Sequence, residues 1–372
     1  MRGITKMMRR LILSVNAGSS SVKLSLVDTS KNQIIWQETF NYKRPEQVAS
    51  QFKTDVVPKL HNLPVTEINA VAHRVVDGGT VEVQEIDDAW MLWANSQQIH
   101  APLHLPIQLE IIAIMRLLLP ATKHIAVSDN AQFAQLPLSK RVYAIPTQLT
   151  EKYQLYKHGA HGLSVESVRR HLREHNQPYD RVVIMHLGSG SSVTALQDNQ
   201  IANTSMGLTP TTGVVMGTRS GDVDFMLVQA LMVQAGLSLD EVIHLLNEQS
   251  GLLGLSDGLS SDQRLLLADE PLNKYAHLAI EVLVDSIVGY AAKFIAELGG
   301  VDAIIFTGGM GENSVEMRRR VLAGLSVFGV FVDDKKNERN AQKIQNAASK
   351  ADVLVLPANE AREMVRKVMQ VL

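Results

Sequence analysis

Three turns rich in glycine and serine follow short apolar runs, at Gly18 to Ser21, Gly188 to Ser191 and Gly308 to Gly311. Glycine lets a backbone approach a ligand closely, and exposed amides supply hydrogen bonds to anionic oxygen, so such turns suit phosphate. Taken singly, each is more readily an ordinary hairpin turn. Neither the GxxxxGK[ST] loop nor the GxGxxG pattern occurs, so a nucleotide here would bind between paired hairpins and not over a P-loop. Arg219 stands out in the nearly uncharged stretch 203–224, NTSMGLTPTTGVVMGTRSGDVD. A guanidinium on a glycine-flanked loop can fork onto a carboxylate or phosphate, or it can be a surface arginine paired to Asp222 or Asp224. Arg74, in AVAHRVVDGG, is either an anion ligand or one half of a strand-end ion pair. His100 with His104 and His158 with His161 have metal-ligand spacing for a helix, but Pro102 and Gly159 break the helices this would need. Glu360, in LPANE, begins the last helix, where an acidic residue is ordinary stabilisation.

These groups need elements to hold them, and the chain repeats one such element. LILSVNAGSSSVKLSLVD (11–28) and RVVIMHLGSGSSVTALQD (181–198) share Gly18/Gly188, Ser19/Ser189, Ser21/Ser191, Leu26/Leu196 and Asp28/Asp198 at a constant offset of 170 residues. Each reads as strand, turn, strand, a hairpin whose turn directs amides outward. A third apolar run enters glycine at AIIFTGGMGEN (303–313), after a helical stretch over 272–298 and before another over 314–325. Strands and helices alternate throughout, so the class is α/β, with two related domains breaking between Asp129 and Pro146.

Composition narrows the function. The 36 basic and 38 acidic side chains give a net charge of −2 and are scattered, with no electrostatic footprint for nucleic acid. Without cysteine there is no disulfide, no thiolate metal site and no thiol nucleophile, which fits a cytoplasmic location. The basic segment Met1 to Arg10 precedes an apolar run too short for a signal peptide. Leu109 to Leu119, interrupted by Glu110 and Arg116, reads as a buried helix and not as a membrane span.

Together, NAGSSSVK (16–23), HRVVDGG (73–79), APLHLP (101–106), HGAHG (158–162), HLGSGSSV (186–193), NTSMGLTP (203–210), MGTRSGDVD (216–224), SSDQR (260–264), FTGGMGEN (306–313) and PANE (357–360) resemble the acetate kinase family, in family order and over almost the whole chain. The resemblance implies a duplicated, ribonuclease H-like fold of the actin, Hsp70 and sugar kinase superfamily, with an interdomain nucleotide cleft. The first domain would span 11–130, the nucleotide-binding domain 131–360, and a helix over 361–372 would pack back on the first.

The resemblance also implies roles. Asn16 and Glu360 would hold Mg²⁺, largely through water, with Ser19, Ser21 and Lys23 near the phosphates. Arg74 and Arg219 would grip the acyl carboxylate and the moving phosphoryl group, His161 would donate to that group, and Asp129 would orient or activate the surroundings of the attacking carboxylate. His186, Gly188, Ser189, Gly190, Gly308, Gly309, Met310, Gly311 and Asn313 would line the ATP site, while Asp262, Gln263 and Arg264 would border the adenosine. Val76, Leu103 and Pro210 would wall the acyl group.

The expected activity is reversible transfer of the ATP γ-phosphate to acetate, in a homodimer that needs neither nucleic acid nor membrane. Ala160 stands where the family usually has phenylalanine, which predicts a roomier acyl pocket and acceptance of propionate or butyrate. Asp77, Ser128, Gln132, Phe133, Val165 and Ser189 also depart from the family pattern. An ATP-hydrolysing conformational switch on the same fold and a catalytically silent paralogue are the alternatives.

Overall fold

The computed structural model describes residues 10–18, 21–42, 47–60, 62–98 and 104–372. It divides into two compact units: unit 1 comprises Met1–Ala134 with Asn359–Leu372, and unit 2 comprises Gln135–Ala358. Ser19 and Leu103, both expected at the site, lie outside the described residues.

Unit 1 is built on a six-stranded sheet of β1 (Leu11–Ala17), β2 (Ser21–Asp28), β3 (Gln33–Asn41), β4 (Ile68–Val75), β5 (Val83–Glu85) and β6 (Lys123–Ser128), in the order β3-β2-β1-β4-β6-β5. The first three strands form an antiparallel meander, while β1, β4 and β6 run parallel. In β1 every residue except Asn16 is buried, as expected of a strand covered on both faces. Leu11, Leu13 and Val15 pack in one core with Ile107, Ile111 and Met115 of the helix Leu105–Leu118. Ser14, on the opposite face, reaches Met364 of the helix Glu360–Val368. In contrast, β3 alternates between half-buried and exposed residues along most of its length, the mark of an edge strand with one wet face.

Unit 2 repeats the plan with β7 (Arg181–His186), β8 (Ser192–Gln197), β9 (Gln200–Thr204), β10 (Ala303–Thr307) and β11 (Asp352–Val355), ordered β11-β10-β7-β8-β9. Read from the meander side, β9-β8-β7-β10-β11 has the order and strand directions of β3-β2-β1-β4-β6. The repeat in the sequence is therefore a repeat of the ribonuclease H-like sheet. The helix Lys274–Glu297, capped by the Asn273 side chain on the amides of Tyr275 and Ala276, packs on β7 and β8. It does so through Ala276, Ile280, Leu283, Ile287, Ala291 and Phe294, at the spacing of one helical face.

Two local expectations are corrected. Gly308 to Gly311 do not form a turn but open a short helix, Gly308–Asn313. Gly308 has φ +78°, and a Cβ there would lie 2.6 Å from the Leu187 carbonyl oxygen, so only glycine lets the chain leave β10 in this direction. The hairpin turns also do not direct all their amides outward: Gly18 donates to the Ser21 carbonyl at 2.8 Å, and Gly188 donates to Ser191 Oγ at 3.2 Å. Among the described residues no helix is long and apolar enough to cross a membrane.

Candidate active site

In unit 1 the carboxyl ends of the three parallel strands carry Asn16 on β1, Arg74 on β4 and Asp129 just beyond β6, the edge where open α/β sheets bind ligands. Arg74 donates from Nε (3.1 Å) and Nη2 (2.6 Å) to Asp129 Oδ2, and from Nη1 to Asn16 Oδ1 (3.1 Å). Asn16 in turn donates from Nδ2 to Glu360 Oε2 at 2.7 Å. Asp129 is fully buried and the Arg74 side chain nearly so. Burial opposes the charge on Arg74, but Asp129 and Glu360 outweigh it and hold the guanidinium above its ordinary value. The strand-end pair and the anion ligand were posed as alternatives for Arg74; the ion pair with Asp129 is present, and it fixes the plane in which Arg74 presents its donors.

Two residues that the sequence did not single out brace this edge. Gln108, a buried amide among the apolar buried residues of the helix Leu105–Leu118, donates to the Ala17 carbonyl (2.8 Å) and accepts from the Val76 amide (3.1 Å), tying the ends of β1 and β4 together. Its polarity amid apolar neighbours was the available signal. Asn130 donates to Asp77 Oδ1 (2.8 Å) and accepts from Ser128 Oγ (2.8 Å). Asp77 and Ser128, both departures from the family pattern, are thus linked to each other through Asn130. Val76 is buried in a core with Trp90, Leu105 and Leu109. Ser21 is half-buried, and Lys23, cross-strand from Asn16, is exposed.

In unit 2 the corresponding edge gathers His161, Arg219 and the glycine turn. A Cβ built on Gly190 would meet His161 Nε2 at 3.4 Å and Arg219 Nη1 at 3.5 Å, so both side chains lie against the turn. The amides of Ser189 and Gly190 make no hydrogen bond among the described residues. His161 has left-handed backbone (φ 61°, ψ 27°) at the start of the helix Gly162–Glu174, a conformation uncommon outside glycine and one that recurs at functional positions. Its Nδ1 lies 2.9 Å from Ser192 Oγ, and its ring stacks on His186 at 4.1 Å between centroids; His186 Nδ1 meets Ser164 Oγ at 2.8 Å. Ser192 was not anticipated, although it sits in the GSGSS run.

Arg219 is buried, contrary to the surface-arginine reading, and donates from Nη1 to the Pro210 carbonyl at 3.0 Å. The carboxylates considered as its partners are engaged elsewhere: Asp222 with the Gly213 amide and Tyr290, Asp224 as the cap of the helix Phe225–Gln234.

The amides of Met310 and Gly311 donate to the Leu187 carbonyl, and that of Gly308 to Glu312 Oε1 (3.0 Å), so they fix this segment against the end of β7. Gly309 and Asn313 are joined by a hydrogen bond from Asn313 Nδ2 to the Gly309 carbonyl. Asp262 and Arg264 form an exposed ion pair at the start of the helix Gln263–Asp269, and Gln263 is buried, accepting from Ser314 Oγ. Ala160 is buried in a small cluster with Met206 and Met216, neither of which sequence reasoning identified.

Comparison with known proteins gives the family of this chain. The model of the acetokinase family matches residues 43–366. Acetate kinase of Lacticaseibacillus paracasei is 36% identical over 392 aligned positions, covering 96% of this chain and 98% of that protein. Acetate kinase of Treponema denticola is 35% identical, with 96% and 98% covered. Among solved structures, a propionate kinase from Francisella tularensis superposes with a TM-score of 0.86 at 31% identity, covering 96% of this chain and 98% of that one. Porphyromonas gingivalis acetate kinase superposes with a TM-score of 0.82 at 30% identity, with 97% and 99% covered. The chain belongs to the acetokinase family.

Proposed function

We propose that this protein is an acetate kinase, transferring the γ-phosphoryl group of ATP to acetate to give acetyl phosphate and ADP, reversibly. The observation that carries this reading is the placing of His161 Nε2 and Arg219 Nη1 against Gly190, on a turn whose amides are open to an anion. An acetate oxygen attacks the γ-phosphorus as the bond to the bridging oxygen of ADP breaks. Two anions approach each other, and charge on the equatorial oxygens must be met by fixed donors. Arg219 and His161 are such donors beside the Gly190 turn, and Arg74, oriented by Asp129, is another. Acetate is already ionised at neutral pH, so no base is needed. Asp129 therefore acts by orienting Arg74 and not by taking a proton. Ser192 Oγ holds Nδ1 and leaves Nε2 beside Gly190; in the tautomer in which the hydroxyl donates to Nδ1, a neutral imidazole carries its proton on Nε2.

Asn16 and Glu360 are in contact through Asn16 Nδ2, and the Asn16 amide oxygen and the Glu360 carboxylate are hard oxygen donors of the kind that suits Mg²⁺ held partly through water. Bound there, the ion would neutralise phosphate charge.

The small side chain of Ala160, packed against two flexible methionines, supports acceptance of propionate beside acetate. The helix Phe225–Gln234, FMLVQALMVQ, has no buried residue although most of it is apolar, which supports a homodimer formed through this face. A cytoplasmic location accompanies the reading.

The test is acyl phosphate formation by the purified protein, trapped with hydroxylamine, using ATP, Mg²⁺ and a panel of acetate, propionate and butyrate. Hydroxamate from acetate and propionate is expected. ATP hydrolysis independent of any carboxylate, with no hydroxamate formed, would overturn the reading in favour of a conformational switch.

A further inference from the structure

The loop that carries Arg219 is closed on itself by one carboxylate. Asp222 Oδ1 accepts from the Gly213 amide at 2.9 Å, and the Asp222 amide donates to the Gly213 carbonyl at 3.0 Å, so the incoming and outgoing limbs are pinned by a reciprocal pair. The other oxygen, Oδ2, accepts from the hydroxyl of Tyr290 on the helix Lys274–Glu297. One turn earlier on that helix, Ser286 Oγ accepts from the Val215 amide at 3.1 Å. Within the closed limbs, the Arg219 carbonyl accepts from the Met216 amide (3.1 Å), and its guanidinium rests on the carbonyl of Pro210, just before the pinned Gly213. Shifting Asp222 would shift Pro210 against Arg219.

We infer that Tyr290 and Asp222 are positioning residues for Arg219: the helix holds Asp222, and Asp222 sets the loop geometry that aims the guanidinium. The inference rests on the role proposed above for Arg219. Burial, the hydrogen bond to Asp222 and the charge of Asp222 all push the Tyr290 phenol upward, so it remains a donor through the neutral range.

Tyr290→Phe removes one hydroxyl and keeps the ring. Tyr290→Phe, Asp222→Asn and the double variant are compared by hydroxamate assay and thermal melting, and Tyr290→Phe is repeated in an Arg219→Ala background. Misaiming a group by about 1 Å costs on the order of 10²-fold in rate. The expectation is a fall in kcat of roughly 10- to 100-fold for Tyr290→Phe with KM for ATP unchanged to within about twofold. The double variant should be no slower than the slower single, and Tyr290→Phe should have no further effect once Arg219 is gone. Wild-type kcat in Tyr290→Phe, or an equal fall with and without Arg219, would overturn the inference; so would a loss of melting temperature with kcat intact. Should Asp222→Asn not fold, the Tyr290→Phe and Arg219→Ala pair decides alone. A wild-type protein forming no acyl phosphate, or full turnover in Arg219→Ala, would instead remove the functional reading on which the inference stands.

Discussion

Arg74 places two of its nitrogens, Nε at 3.1 Å and Nη2 at 2.6 Å, on the single oxygen Oδ2 of Asp129, while Nη1 turns to Asn16. One carboxylate thus fixes the guanidinium plane without occupying its whole donor set.

Asp129→Asn should weaken both stability and turnover. Removing one charge of a buried pair costs about 3–5 kcal/mol, because the other is left uncompensated. A lower denaturation midpoint together with a lower kcat is expected. Unchanged kcat in a folded variant would exclude the orienting role.

Arg219→Ala should fold and lose turnover. By comparison with arginines that meet a transferring phosphoryl group elsewhere, the loss is on the order of 10³ to 10⁵ in kcat. Steady-state rates and circular dichroism on the same preparation separate this from misfolding.

His73 and His124 predict an acid limb in stability. Both are buried and stacked, with His73 Nε2 3.0 Å from His124 Nδ1. Burial, and then the neighbouring imidazole, hold His73 well below its ordinary value, and burial chiefly lowers His124. The unfolded chain therefore binds protons below about pH 6.5 that the folded chain refuses, and stability falls as pH drops through that point. Each such proton contributes up to about 1.4 kcal/mol per pH unit. Denaturant midpoints of His73→Gln between pH 7.5 and 5 should fall less steeply than those of the wild type.

Arg318→Met should be more damaging than its distance in sequence from Arg219 suggests. This fully buried guanidinium donates to the carbonyls of Gly311 and Glu312 and to Asn337 Oδ1, all within 2.9 Å, and so supports the segment after β10. Each buried acceptor left without a donor costs about 1–3 kcal/mol. Urea unfolding should show a loss of several kcal/mol, and a variant as stable as the wild type would contradict this account.

The motifs made the duplicated sheet and the family legible because they mark strand ends: Asn16, Arg74, Gly188 and Gly308 each stand where a parallel strand stops. Partners were less legible. Gln108 serves through hydrogen bonds to groups 91 and 32 residues away and Ser192 through one to a group 31 residues away, and no local pattern encodes such distances. The same holds for the burial of Arg219, which depends on the loop folding back to Pro210. Gly308 was misassigned to a turn because a glycine-rich run suits either conformation until its contact with Leu187 is known.

Unit 2 is a single continuous stretch, but unit 1 is not: its helix Glu360–Val368 packs on β1, β4 and β6 from the far end of the chain. Until that helix has been made, the first sheet lacks a cover for the face bearing Ser14, and Asn16 lacks Glu360. A chain cut short before residue 360 would therefore carry a first sheet uncovered on one face.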